Sequence, residues 1–277
     1  MSWLDAHQHF WWIRRRDYGW LTPAQGPLWR DFGPDDLRPL LRAHGVTGTV
    51  LVQAAPSERE TRLLLRVAAR RPWIRGVVGW VDLAAADAAD RLARLAAHPK
   101  FVGLRPMLQD LPDPAWVLQP QVVASLRRAA ALGLAFDALV RAPQLPVLGR
   151  LLAAVPGLRV VIDHAGKPPI AAGAFQPWAD QLAALAAHPG VYCKLSGLLG
   201  EAPPGADAAT LRPWVAHLLE CFGPERLIWG SDWPVLTAVA DYGRWRGLCE
   251  TLLRGLPAAA RRRIGRDNAV EFYRVSA

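Results

Sequence analysis

The chain has 277 residues, of which 52% are hydrophobic, and a formal net charge of +9 with a sequence pI near 10.3. This length suits one α/β barrel spanning residues 1–277, and no uncharged apolar run of about 18 residues offers a membrane span. The arginines are scattered: the only runs of three are Arg14 to Arg16 and Arg261 to Arg263, so the charge reads as a solvated surface and not as a nucleic-acid interface.

Eight short β-type runs are expected, at residues 4–10, 48–53, 76–81, 101–105, 135–140, 160–163, 191–195 and 227–230. Several are continuously apolar, as parallel strands covered on both faces must be. Ala/Leu-rich helical patterns fall between them, at 60–70, 87–97, 122–132, 145–154, 178–187 and 211–221. The segment from Leu92 to Pro99 recurs almost unchanged from Leu182 to Pro189, a spacing that fits three βα units of about 30 residues. The alternation predicts a parallel (βα)8 barrel. An open doubly wound sheet is the competing architecture, weakened by the lack of a glycine-rich dinucleotide loop after the first strand.

Barrel chemistry gathers at the C-terminal ends of the strands. Strand one ends in His7 and His9, which a strand presents on one face. Strand two ends in Gln53 and strand four in Arg105, while strand five carries Asp137. Strand six ends in Asp163-His164, strand seven carries Lys194, and strand eight leads into Gly230-Ser231-Asp232-Trp233-Pro234. His7, His9, His164 and Asp232 would converge above the mouth. Imidazole nitrogens and a carboxylate can bind a metal, and an ionised carboxylate can accept a proton from water. Each residue also has a structural reading. Asp232 could cap the following helix, Arg105 could be an ion-pair partner, and Lys194 could pair with Asp137 inside the barrel. His44, His98 and His188 sit at helix ends and read as structural. Cys193, Cys221 and Cys249 form no CxxC and read as reduced thiols of a cytoplasmic protein. No secretory signal is expected from the first residues.

These segments resemble the amidohydrolase superfamily, most closely its lactonase branch. The resemblance rests on Asp5-Ala6-His7-Gln8-His9-Phe10-Trp11, Asp17-Tyr18-Gly19-Trp20-Leu21, Asp163-His164-Ala165-Gly166-Lys167-Pro168, Tyr192-Cys193-Lys194-Leu195-Ser196-Gly197 and Gly230-Ser231-Asp232-Trp233-Pro234, and it extends over nearly the whole chain. It implies a (βα)8 barrel that opens a small lactone, such as L-fucono- or L-rhamnono-lactone. Asp232 would be general base, with His164 beside it. Arg105, Gln53, Lys194 and Trp11 would hold substrate. His7, His9 and Asp232 would hold one divalent ion, zinc foremost; without a metal, the histidines would polarise the carbonyl directly. No strand-four residue can bridge two metals, which argues against a binuclear centre. The tryptophan-rich stretch after strand one would pack over the mouth or stack on a sugar. A decarboxylase of the same superfamily and a non-catalytic sugar-acid-binding barrel are the rival readings. The partner is then a small molecule, with no nucleic acid and no membrane. The sequence carries no mark that decides between a monomer and an oligomer.

Overall fold

A computed structural model of the protein describes residues 2–276. Eight strands form one parallel sheet in sequential order. They are β1 (Trp3–Gln8), β2 (Val46–Val52), β3 (Ile74–Gly79), β4 (Phe101–Leu104), β5 (Ala135–Ala138), β6 (Arg159–Ile162), β7 (Val191–Leu195) and β8 (Leu227–Trp229). The helices between consecutive strands are α1 (Pro34–Ala43), α2 (Glu58–Ala69), α3 (Ala88–Ala96), α4 (Pro120–Ala131), α5 (Leu145–Ala154), α6 (Trp178–Ala186), α7 (Leu198–Glu201) and α8 (Ala208–Phe222). After β8 come α9 (Tyr242–Leu252), α10 (Ala258–Arg262) and α11 (Asn268–Tyr273). The expected alternation is present, and α1 and α9 supply helices where the alternation required them but no helical pattern was assigned.

Helices α1 to α6, α8 and α9 each bury an apolar face against the outside of the sheet. Inside, Leu4, Val50, Val78, Val102, Val161 and Ile228 fill the lower layer, and Phe272 and Tyr273 of α11 close that end. No helix among the described residues is long and apolar enough to cross a membrane.

Two local features aim the upper layer. On β1 the three steps from Asp5 to Gln8 oppose only two on β2, from Thr49 to Leu51. The extra residue is a bulge, which re-aims the side chains around it, and His7 lies within it. The last pair of strands, β8 and β1, is joined just beyond β8: the Asp232 amide donates to the His7 carbonyl at 2.8 Å, and the His9 amide donates to the Trp233 carbonyl at 2.7 Å. His9 therefore lies past the end of β1, held by this closure and not by a strand, as the sequence had suggested. The segment that carries Asp232 is thus also the segment that closes the barrel.

Candidate active site

Two of the residues that carry the site sit on strained backbone. His164 has φ 52° and Asp232 has φ 60°, in the left-handed region that non-glycine residues seldom occupy and that clusters at functional sites. Two glycines make room beside them. A Cβ on Gly230 would lie 2.6 Å from the Cβ of His7, and one on Gly197 would lie 2.6 Å from Nδ1 of His164. The buried Asp5 carboxylate holds the turn after β8, accepting from the Ser231 amide at 2.8 Å, the Ser231 hydroxyl at 2.6 Å and the Tyr242 hydroxyl at 2.9 Å.

His7, His9 and His164 point three Nε2 atoms at one oxygen, Oδ1 of Asp232, at 3.6, 3.2 and 3.8 Å. His9 is oriented from behind, its Nδ1 lying 2.9 Å from the Val52 carbonyl. A carbonyl only accepts, so Nδ1 carries the proton and Nε2 faces the carboxylate. His164 has Nδ1 at 2.9 Å from the Ser196 hydroxyl. Burial disfavours the imidazolium of His7, and the neighbouring Lys194 lowers it further, well below the usual histidine range. Burial pulls His164 down to about 4, against the opposing charge of Asp232. Burial alone would raise Asp232, but the facing imidazoles of His164, His9 and His7 outweigh it and hold the carboxyl below its ordinary value. Asp232 does not cap the helical turn that follows it.

Below this layer His7 Nδ1 lies 3.3 Å from Asp163 and 3.0 Å from Lys194 Nζ. Lys194 also pairs with Asp137 and, at 2.9 Å, with Asp163. Tyr273 of α11 donates to Asp137 at 2.8 Å. Arg105 joins the two layers, with Nη1 at 3.3 Å from His7 Nε2 and 3.4 Å from Asp163, and Nη2 on the Gln53 carbonyl.

A cavity of about 290 Å³ opens above, lined by His9, Arg105, His164 and Asp232 together with Trp20, Met107 and Lys167. The structure brings these four expected residues to its floor. Three expected substrate contacts lie elsewhere. Lys194 is fully buried beneath His7. Gln53 is also buried and spends its amide on the Arg105 carbonyl at 2.7 Å. Trp11 is buried too, its indole donating to the Arg30 carbonyl at 2.8 Å; the ring that lines the cavity is Trp20, which stacks edge-on against Trp11. Lys167 had only its place in the Asp163–Pro168 motif to mark it. Glu60, buried and accepting from the Ala54 and Ala55 amides, had no sequence signal apart from the helix that carries it.

The donors suit a small divalent cation. The facing atoms of His7, His9 and Asp232 lie within 4.8 Å of one another. Where His7 and His164 are neutral, imidazole lone pairs face a carboxylate oxygen, and a cation or a shared proton is needed between them. Around it, Lys194 and Arg105 supply two positive charges against the three carboxylates of Asp137, Asp163 and Asp232, so the cluster accepts further positive charge. Two histidines and a carboxylate are an ordinary zinc donor set.

A parallel eight-stranded barrel with paired histidines leaving strand one, a histidine after strand six and an aspartate after strand eight defines an amidohydrolase-type barrel. The amidohydrolase family matches residues 4–275, and the chain belongs to that family. It is 48% identical to an L-fucono-1,5-lactonase of Burkholderia ambifaria over 98% of this chain and 95% of the relative. Identity to an L-fucono-1,5-lactonase of Burkholderia multivorans is 38%, over 94% of this chain and 91% of the relative. The crystal structure of an amidohydrolase from Burkholderia multivorans with bound zinc superposes with a TM-score of 0.94 at 36% identity, covering 100% of both chains.

Proposed function

We propose that this enzyme hydrolyses a sugar-acid lactone, with L-fucono-1,5-lactone first among candidates, and that residues 1–277 act as one catalytic domain. The observation that carries the reading is the convergence of three imidazole nitrogens on Asp232 Oδ1 at the floor of a small cavity that also exposes Arg105. Relatives named as lactonases match nearly the whole chain, which favours this reading over decarboxylation. A carboxylate exposed to the cavity favours it over a barrel that only binds.

In the proposed reaction Asp232 accepts a proton from water as the water oxygen attacks the lactone carbonyl carbon. The Arg105 guanidinium faces the developing oxyanion, where a charge-assisted donor is most effective. The ring C–O bond then breaks, and the leaving alkoxide takes the proton back from Asp232, giving the open hydroxy acid. His9 and His164 orient the Asp232 carboxylate. Lys194 and Asp163 act as positioning residues, holding the ring of His7. Lys167 reaches substrate oxygens from the rim. One divalent ion held by His7, His9 and Asp232, zinc foremost, would supply a Lewis acid for the carbonyl. The three cysteines are free thiols, which fits a cytoplasmic enzyme of carbohydrate breakdown.

The test is hydrolysis of a panel of sugar-acid 1,4- and 1,5-lactones followed by pH indicator. Turnover well above the spontaneous rate on at least one is expected. No turnover on any would overturn the reading.

A further inference from the structure

Beside the catalytic cavity lies a second and larger one of about 640 Å³. The two share Trp20, Met107 and Asp110 as lining residues, so they adjoin at these three side chains. The lactone reading uses only the first, and a single sugar-acid lactone leaves the second without a role.

Three tryptophans stand out in its walls. Trp20, Trp80 and Trp116 line it, all half-buried. Trp20 is a fixed platform, because its indole donates to the Ala54 carbonyl at 2.7 Å and its ring packs edge-on against Trp11 at 5.3 Å. A preformed wall loses little freedom when a ligand stacks on it. Polar groups complete the cavity. Arg16 and Asp110 are exposed beside the rings, while the Asp17 carboxylate is already engaged by Arg15 and Arg59. Flat aromatic faces with a charged rim match a pyranose, which presents an apolar C–H face and an equatorial belt of hydroxyls. A wholly apolar occupant would desolvate Arg16 and Asp110 without pairing them.

We propose that this second cavity is a subsite for a sugar ring attached to the lactone, so that the enzyme accepts glycosylated aldonolactones as well as simple ones. The proposal rests on the lactonase reading for the ring held at Asp232. It makes Trp80 and Trp116 specificity residues, for neither lines the catalytic cavity.

The probes are stable aldonates: gluconate against its glycosylated forms lactobionate and maltobionate. Each is measured as an inhibitor of L-fucono-1,5-lactone hydrolysis and directly by calorimetry. At least one glycosylated aldonate should bind about tenfold more tightly than gluconate. Trp80→Ala and Trp116→Ala should each remove most of that advantage while leaving kcat/KM on the simple lactone within about twofold. Thermal unfolding of both variants controls for folding, and because the two tryptophans come from different loops, loss of one variant leaves the other. Equal binding of simple and glycosylated aldonates overturns the proposal, as does an advantage that survives both substitutions. Calorimetry reads the subsite whether or not any lactone turns over, so failure of the lactonase reading is a separate result.

Discussion

The barrel interior holds two layers of charge that differ in what surrounds them. In the lower layer Lys194, Asp137, Asp163 and Tyr273 are sealed from solvent and spend their charges on one another. In the upper layer His9, His164 and Asp232 face a cavity, and the histidines share a single carboxylate oxygen. His7 belongs to both, with Nδ1 turned down to Asp163 and Lys194 and Nε2 turned up to Asp232. Burial pushes Asp137 up to about 6, against the pull of Lys194. Lys194, His7 and Arg105 overcome burial at Asp163 and hold it well below the carboxylate range. The contrast is between two arrangements of buried charge: the lower layer satisfies its charges internally, and the upper one presents a carboxylate oxygen to the cavity.

If that division is right, substitutions in the two layers fail differently. Asp232→Asn keeps the shape of the upper layer and removes its basicity. A general base typically contributes about 10²- to 10⁴-fold, and we expect a loss of kcat of that order with an unchanged circular dichroism spectrum. Near-normal turnover in Asp232→Asn would overturn the general-base role of Asp232. Lys194→Met should act on stability instead. It leaves Asp137 and Asp163 buried beside an apolar chain, and breaking a buried pair from one side costs about 3–5 kcal/mol. Chemical denaturation should show that loss. The double variant Lys194→Met/Asp137→Asn should recover part of it, because a neutral amide is less costly to bury. No recovery would mean that the lower layer is not organised by this pair.

The metal expectation sharpens the same comparison, since a cation should join only the upper layer. Protein purified without chelator should carry about one divalent ion per chain by elemental analysis. His9→Asn should lose it, while Lys194→Met should still bind it but more weakly, since Lys194 only holds the ring of His7. Removing the ion should lower Tm, because a ligand bound only to the folded state stabilises it by mass action. A metal-free protein with full activity would leave the histidines to polarise the carbonyl directly.

Much of the upper layer could be read from the chain because its signals are local. His7 and His9 are two residues apart, and Asp163-His164 and Ser231-Asp232 each follow an apolar run. The lower layer was only partly readable. The Lys194–Asp137 pairing could be conceived from strand membership, but the union of β5, β6, β7 and α11 at one point depends on register and closure. Trp11 and Trp20 show the limit most plainly. Both are aromatic and both follow strand one, yet the bridge between Trp11 and Phe32 turns the first inward and leaves the second at the cavity. The bulge at His7 and the left-handed backbone at His164 and Asp232 have no counterpart in periodicity, because they arise from how distant segments meet.

The smallest effect expected is at Glu60, which belongs to neither layer but holds the edge of the upper one. Its carboxyl is buried and accepts from the amides of Ala54 and Ala55, and Ala54 lines the cavity. Burial pushes its pKa up to about 8, against those amides and the charge of Arg105. The folded protein therefore binds this proton more tightly than the unfolded chain, whose glutamate titrates near 4.5. The resulting stability is complete below that value and is lost as pH rises through about 8. Glu60→Gln keeps an acceptor for the amides and cannot ionise. It should match the unsubstituted protein near pH 4 and exceed it in Tm near pH 8.5 by several degrees, since about 1 kcal/mol moves Tm by about 2–4 °C in a chain slightly smaller than this. Lactone binding should follow the same pH dependence weakly, through the loop at Ala54. Parallel Tm curves for the two proteins over that range would show that Glu60 is already ionised when folded, with Arg105 and the two amides outweighing its burial.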